Sequence, residues 1–337
     1  MASDSYVFKS TCAELPTAFH AILGTALFLF GNLIAQEPSL ALAGEPDVPT
    51  PYWFAALDVF ETGENLPSRT SGYGCEAPED WRMAIVWGRT LVCIADETLT
   101  RSAQHQSVTN LFNEETKWPR ESPFSMIAAR RPPVTRRMSM ASSSAHDLMI
   151  LAMDQFSRGI FHMPHQQTSD SSFSRAKELF TLASEVLLLA EKMDVATERQ
   201  YWASWADSVF NQMKMEADMD QWRGPITRAR GKCWLTVGSA RVEELETSLE
   251  AGDYGVLQSR DAEDARRGLT KAIEFFERAR GSASMNSTGL DDTDWRELSP
   301  LLTEALLTLA NLTSDEQARE ALYTRAEAEG GNLMDCD

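Results

Sequence analysis

The sequence has few of the residues that catalytic sites use most. Among 337 residues there are 5 cysteines and 5 histidines, and no CxxC, HExxH, GxSxG, GxGxxG or P-loop motif occurs. An odd number of isolated cysteines fits no closed disulfide framework, so reduced thiols inside the cell are expected. We therefore predict that the chain is not an enzyme, with no catalytic residue, metal or cofactor of its own.

Positive charge is also scarce. Lysine and arginine total 31 against 50 acidic residues, which gives a net charge of −19. Nucleic acids and anionic membranes carry negative charge themselves, so neither is expected as the main partner. The composition favours a protein partner.

One apolar run needs an interpretation of its own, because residues 18–35 (AFHAILGTALFLFGNLIA) approach the length of a membrane span. His20 and Asn32 interrupt the run, and no basic segment precedes it. We interpret it as a buried helix of a helix pair, with a membrane-associated scaffold as the alternative.

A three-position pattern, Ala-x3-Phe-x2-small, occurs four times. Positions i, i+4 and i+7 share one face of a helix, so small residues would admit a neighbouring helix and the ring would fill the space between them. Composition alone predicts roughly 0.3 copies. The predicted packing residues are Ala56, Phe60 and Gly63; Ala152, Phe156 and Gly159; Ala176, Phe180 and Ala183; and Ala272, Phe276 and Ala279.

A repeat pair also needs a first helix that carries a glycine. Gly31, Gly88 and Gly231 are the candidates. Glycine in one helix and Ala-x3-Phe-x2-Ala in the next resembles the tetratricopeptide (TPR) pattern, although the 34-residue period is missing. We therefore predict an all-α fold, a TPR-like α-solenoid with degenerate, interrupted repeats.

This repeat domain is predicted over 15–331, followed by an acidic tail at 332–337. Later helices are expected at 174–193, 199–219, 226–250, 261–281, 295–310 and 314–329. A basic insertion at 101–145, rich in proline and serine, is expected to be flexible. Within it Ser139 follows two arginines and is a candidate phosphorylation site. The candidate partner contacts there are Arg130, Arg131, Arg136 and Arg137.

Two further patterns leave alternatives open. His162 and His165 would bind a metal only with a third ligand, so an exposed pair at a helix end is the simpler interpretation. Trp202 and Trp205 share a helix face and form either inter-helix core or the aromatic floor of a partner-binding groove.

Six segments in order resemble the fungal enhancer-of-translation-termination family. They are AFHAILGTALFLFGNL, AALDVFETG, WRMAIVWGRTLVCIADE, LMILAMDQFSRGIFHMPH, LTKAIEFFERARGSA and LLTLANLTSDEQAREALYTRAEAEGG, which together extend from about Leu15 to Gly331. The resemblance implies an all-α, TPR-like nuclear protein without catalytic activity. It also implies a role in accurate translation termination and in oxygen-responsive gene expression, through binding of a prolyl-hydroxylase-like 2-oxoglutarate/iron dioxygenase.

One departure from the family concerns localisation. Family members open with a lysine- and arginine-rich stretch typical of nuclear import, whereas Lys9 is the only basic residue in MASDSYVFKSTCAELP. We expect the nucleus, with the cytoplasm as the alternative. A generic TPR-like scaffold remains the alternative function.

Overall fold

A computed structural model of the chain describes most of its residues. The described residues are 17–66, 80–104, 118–122, 125, 143–165, 173–216, 220–286 and 292–331. Over these ranges the secondary structure is helical and no β-strand occurs. The predicted all-α class is therefore confirmed.

Long helices alternate with short connections. In chain order they are α1 (Ala18–Gln36), α2 (Thr50–Glu64), α3 (Trp81–Ala103), α4 (Ala145–His162), α5 (Arg175–Glu191), α6 (Ala196–Gln212), α7 (Arg223–Ser239), α8 (Val242–Glu250), α9 (Arg260–Asn286), α10 (Asp292–Asn311) and α11 (Glu316–Gly331).

Side chains just before several helices accept hydrogen bonds from the first turn. The Asp80 carboxylate accepts from the backbone N–H of Met83 at the start of α3. Ser144 and Asp147 form a capping box at the start of α4. Such caps satisfy amide groups that have no partner within the helix, and so fix where it begins.

One predicted helix is divided. The expected helix 226–250 ends at Ser239 and resumes at Val242, with Ala240 and Arg241 in a turn. After this turn Leu245 joins the buried core of its unit, with only 4% of its surface exposed. Leu235 before the turn and Leu245 after it therefore belong to the same buried core.

Contacts divide the chain into two compact units, Met1–Met163 and Pro164–Asp337. In the first unit α1 packs on α2, α2 on α3 and α3 on α4, and α1 also contacts α3. In the second unit α5, α6, α7, α9, α10 and α11 pack in succession, and α7 also contacts α5 and α10. The prediction of one repeat domain over 15–331 stays a prediction.

The helix pairs are α1/α2, α3/α4, α5/α6, α7/α9 and α10/α11, and the first member of each is called its first helix. Within each unit, successive first helices touch one another: α1 touches α3, α5 touches α7, and α7 touches α10. Stacked first helices create a continuous surface, and a candidate binding site lies on it in the second unit.

Most of the predicted basic insertion lies outside the described residues. The structure places 101–103 in the last turn of α3 and Ala145 at the start of α4. The acidic tail 332–337 also lies outside the described part of the chain. Both predictions therefore stay predictions.

Candidate protein-binding groove

Three helix pairs share one contact, in which a phenylalanine of the second helix lies on a glycine of the first. Phe60 of α2 covers Gly24 of α1, and a Cβ on Gly24 would overlap the ring. Phe156 of α4 covers Gly88 of α3, where a Cβ would lie 2.5 Å from Cε1 of the ring.

The third such contact belongs to the second unit. Phe276 of α9 covers Gly231 of α7, and a Cβ on Gly231 would lie 2.6 Å from Cδ1 of the ring. Phe60, Phe156 and Phe276 are each at most 1% exposed. A ring that fills the space above a glycine lets two helices approach closely and leaves no cavity between them.

The small residues of these three pattern copies are also buried. Ala56, Ala152 and Ala272 are fully covered, and Ala279 is 5% exposed. Gly63 faces His20, and Gly159 faces Ile85. In each of these pairs, then, the face that the pattern marks lies in the helix–helix contact.

The first-helix glycine of α1 differs from the expected one. Gly31 was the candidate, but it faces the ring of Trp53, and the glycine under Phe60 is Gly24, seven residues earlier. The two glycines share one face of α1, because seven residues are about two helical turns. Sequence spacing alone did not tell which turn would meet the phenylalanine.

The fourth pattern copy has different surroundings. Phe180 lies on α5, the first helix of its pair, and is only half-buried, although Ala176 and Ala183 are buried. Its ring centroid lies 5.4 Å from that of Phe210 and 5.0 Å from that of Trp222. Phe180 is therefore part of an aromatic cluster.

The second helix of this pair carries residues that the pattern search missed. Ala206 and Phe210 of α6, with Met213 directly after its last residue, have the same spacing and are all 0% exposed. Methionine at the third position falls outside the definition of a small residue. A search that admitted methionine there would have found this copy.

The first helices α5, α7 and α10, together with Arg199 of α6, enclose an open cavity of about 330 Å³. This is near the lower end of the volumes of ligand pockets, about 300–1,000 Å³. Its lining combines charged, polar and apolar side chains. The residues are Glu191, Arg199, Lys232, Leu235, Thr236, Ser239, Leu301 and Glu304.

Two glutamates and one lysine set the electrostatics of this cavity. Burial raises the pKa of Glu191, the Glu304 charge raises it further, and Lys232 opposes the shift. Burial also raises the pKa of Glu304. Both residues are exposed to solvent, and the surrounding protein removes part of their hydration. The guanidinium of Arg199 is directed to the Met193 carbonyl oxygen, to which Nε donates at 2.8 Å.

Lys232 thus offsets part of the pKa shift of Glu191, whereas the shift of Glu304 comes from burial. A basic side chain entering the cavity would relieve the repulsion between Glu191 and Glu304 and restore part of their lost solvation. We call the surface formed by α5, α7 and α10 around this cavity the first-helix groove. No sequence pattern pointed to it, because its residues come from four helices.

The structure also places the other predicted site residues. Trp202 is buried, with 1% exposed, and Trp205 is half-buried, so the first is a core residue. The ring of His162 contacts that of Phe161. His165 Nδ1 is 4.0 Å from Glu216, which already pairs with Arg175 at 2.9 Å. Among the described residues no group of three His, Cys, Asp or Glu side chains could hold a metal ion.

The candidate sites of the basic insertion lie outside the described residues. These are Ser139, Arg130, Arg131, Arg136 and Arg137.

Helix α1 is long and apolar enough to cross a membrane, and a third of its most apolar window is buried in the structure. Trp53 Nε1 donates to the Asn32 side-chain oxygen at 3.0 Å, which ties α1 to α2. Length and composition of this kind are shared with the core helices of other proteins.

Comparisons of the chain with protein-family models, with curated proteins and with solved structures found no match.

Proposed function

We propose that this chain is a non-enzymatic, TPR-like helical-repeat adaptor. In this proposal it promotes correct translation termination and regulates oxygen-responsive gene expression by binding a 2-oxoglutarate/iron prolyl-hydroxylase-like dioxygenase in the nucleus. The observation that carries the architectural part is the phenylalanine-on-glycine contact in α1/α2, α3/α4 and α7/α9. The identity of the partner and the cellular role come from the resemblance of the six sequence segments.

The packing supports an adaptor because repeated helix pairs leave their first helices available for binding. In repeat proteins of this kind the stacked units form an extended surface on which partners lie. The first-helix groove has that position in the second unit, and its cavity suits a basic side chain of a partner. The iron and its chemistry would belong to the partner.

The site predicts how binding depends on charge and pH. Glu191 and Glu304 must be ionised to attract a basic group, and their pKa values lie above the ordinary 4.5 of glutamate. Binding should therefore be complete at neutral pH and be lost on acidification earlier than an ordinary glutamate would allow. Rising salt should weaken it as well.

Affinity capture of the dioxygenase by the full chain tests the proposal. We expect capture by the wild type and at least about a tenfold loss in the double variant Glu191→Gln/Glu304→Gln, the size of effect typical for a charged hydrogen-bonded group. Glu274→Gln is the matched control, because Glu274 is an exposed glutamate of α9 outside the groove.

The outcomes separate the parts of the proposal. No capture by the wild type at low salt would refute the partner. If the double variant captures the dioxygenase as well as the wild type does, the binding site lies outside the first-helix groove. A stop-codon readthrough reporter measures the cellular role, which requires more readthrough when the chain is removed.

A further inference from the structure

Helix α1 carries two apolar faces, and among the described residues only the inner face is covered by other helices. The inner face packs on α2 and α3 through residues that include Leu27, Phe28 and Ile34, all at most 2% exposed. On the outer face Phe19 is 68% and Ile22 is 73% exposed. A helix that is apolar on every side is normally covered on every side.

The outer face has the spacing of a helix that pairs with another helix. Positions 19, 22, 26, 29, 33 and 36 are exposed and alternate in steps of three and four residues, and Phe30, 50% exposed, lies beside them. This is the a/d spacing of a coiled coil, in which each side chain enters a space between residues of the facing helix. The occupant that this face fits is therefore a single helix lying along it.

The face is also complementary to itself. In an antiparallel pair centred between residues 27 and 28, Ala26 lies opposite Leu29 of a second copy, and Ile22 lies opposite Leu33. The one small residue of the stripe is thus matched with a large one, as close packing requires. Two-fold symmetry forms both central matches at once.

Charge favours the same occupant. A copy carries a net charge of −19, so two copies repel over most of their surfaces. Residues 18–36 contain no Asp, Glu, Lys or Arg, and so α1 offers a face on which two copies meet without opposing charges.

We propose that α1 is a homodimerisation helix, which pairs antiparallel with α1 of a second copy through Phe19, Ile22, Ala26, Leu29 and Leu33. Insertion of α1 into a membrane is the competing use of the same face. It would separate the inner face from α2 and break the hydrogen bond between Trp53 and Asn32.

The mass of the full chain in solution tests the dimer. Light scattering after gel filtration should give twice the monomer mass of 37.6 kDa at micromolar concentration. Ile22→Lys places an ammonium group in the apolar seam and should weaken the dimer by about 100-fold or more, since both copies carry the change. Leu188→Lys is the matched control, because Leu188 is 59% exposed on α5, and it should leave the dimer intact.

A pair of substitutions tests the register. Ala26→Leu places the introduced leucine of one copy opposite Leu29 of the other and should weaken the dimer. The double variant Ala26→Leu/Leu29→Ala again pairs one large with one small residue and should restore the dimer. A monomer at every concentration would overturn the proposal, as would a dimer that survives Ile22→Lys. Flotation of the wild type with phosphatidylcholine vesicles would assign α1 to a membrane and overturn it too. Failure of the double variant to recover would overturn the antiparallel register.

Discussion

The pairs α3/α4 and α5/α6 both carry the alanine–phenylalanine pattern, yet they pack differently. In α3/α4 the ring of Phe156 comes from the second helix and lies on Gly88 of the first. In α5/α6 the pattern copy lies on the first helix, and Phe180 contacts Phe210 and Trp222. The same three-position pattern therefore has different roles, depending on which helix of a pair carries it.

The difference follows from the space that a glycine creates. At Gly88 the ring occupies the volume that a Cβ would need, so the backbone of α3 and the ring of α4 are in direct contact. In the α5/α6 cluster the ring centroids are 5.0–5.4 Å apart, a distance typical of aromatic pairs. The contact between Phe156 and Gly88 leaves no room for a larger side chain, whereas the cluster around Phe180 is partly open to solvent.

Removing the two rings should therefore have unequal effects. Phe156→Ala should lower the free energy of unfolding by about 3–5 kcal/mol, because it empties a closed contact. Phe180→Ala should lower it by about 2 kcal/mol or less, since that side chain is already partly exposed. Chemical denaturation of the full chain measures both, and equal losses would show that the two contacts are alike.

Replacing Gly88 by alanine should distinguish the effect of the closed contact on stability from the effect of helix propensity. Gly88→Ala should cost about 1–3 kcal/mol, because its methyl group would overlap the ring of Phe156. Gly281→Ala is the control on α9, where nothing lies within 4 Å of the added Cβ. That change should stabilise the protein by about 0.5–1 kcal/mol through helix propensity. A stabilising Gly88→Ala would contradict the contact.

The smallest expected effect is a pH dependence of stability that α1/α2 should show and α3/α4 should not. Gly63 faces His20, whereas the corresponding Gly159 faces Ile85. Burial lowers the pKa of His20, and its Nδ1 is buried without a hydrogen-bond partner among the described residues. Because the folded state then binds the proton less readily than the unfolded state, stability should fall as pH drops below about 6.5.

The variant His20→Ile gives the α1/α2 pair the side chain found in α3/α4. The difference in melting temperature between wild type and variant should grow as the pH is lowered from 7 to 5. A difference that stays constant with pH would show that His20 titrates alike in both states.

The helices were largely predictable because their signals are local. Apolar periodicity and caps such as Asp80 act within a few residues of the chain, so the all-α class and most helix positions follow from the sequence. The break at Ala240 and Arg241 was not predicted, since it depends on Leu245 reaching the core of the second unit.

The sequence by itself determined that helices form and that each carries a face of small residues and phenylalanine. Only the tertiary structure decided that Gly24 and not Gly31 lies under Phe60, and that Phe180 joins an aromatic cluster. It also brought Glu191, Lys232 and Glu304, which lie up to 113 positions apart in the chain, around one cavity. The physical reason is that helix formation depends on neighbours in sequence, whereas the choice of packing partner depends on how whole helices approach one another.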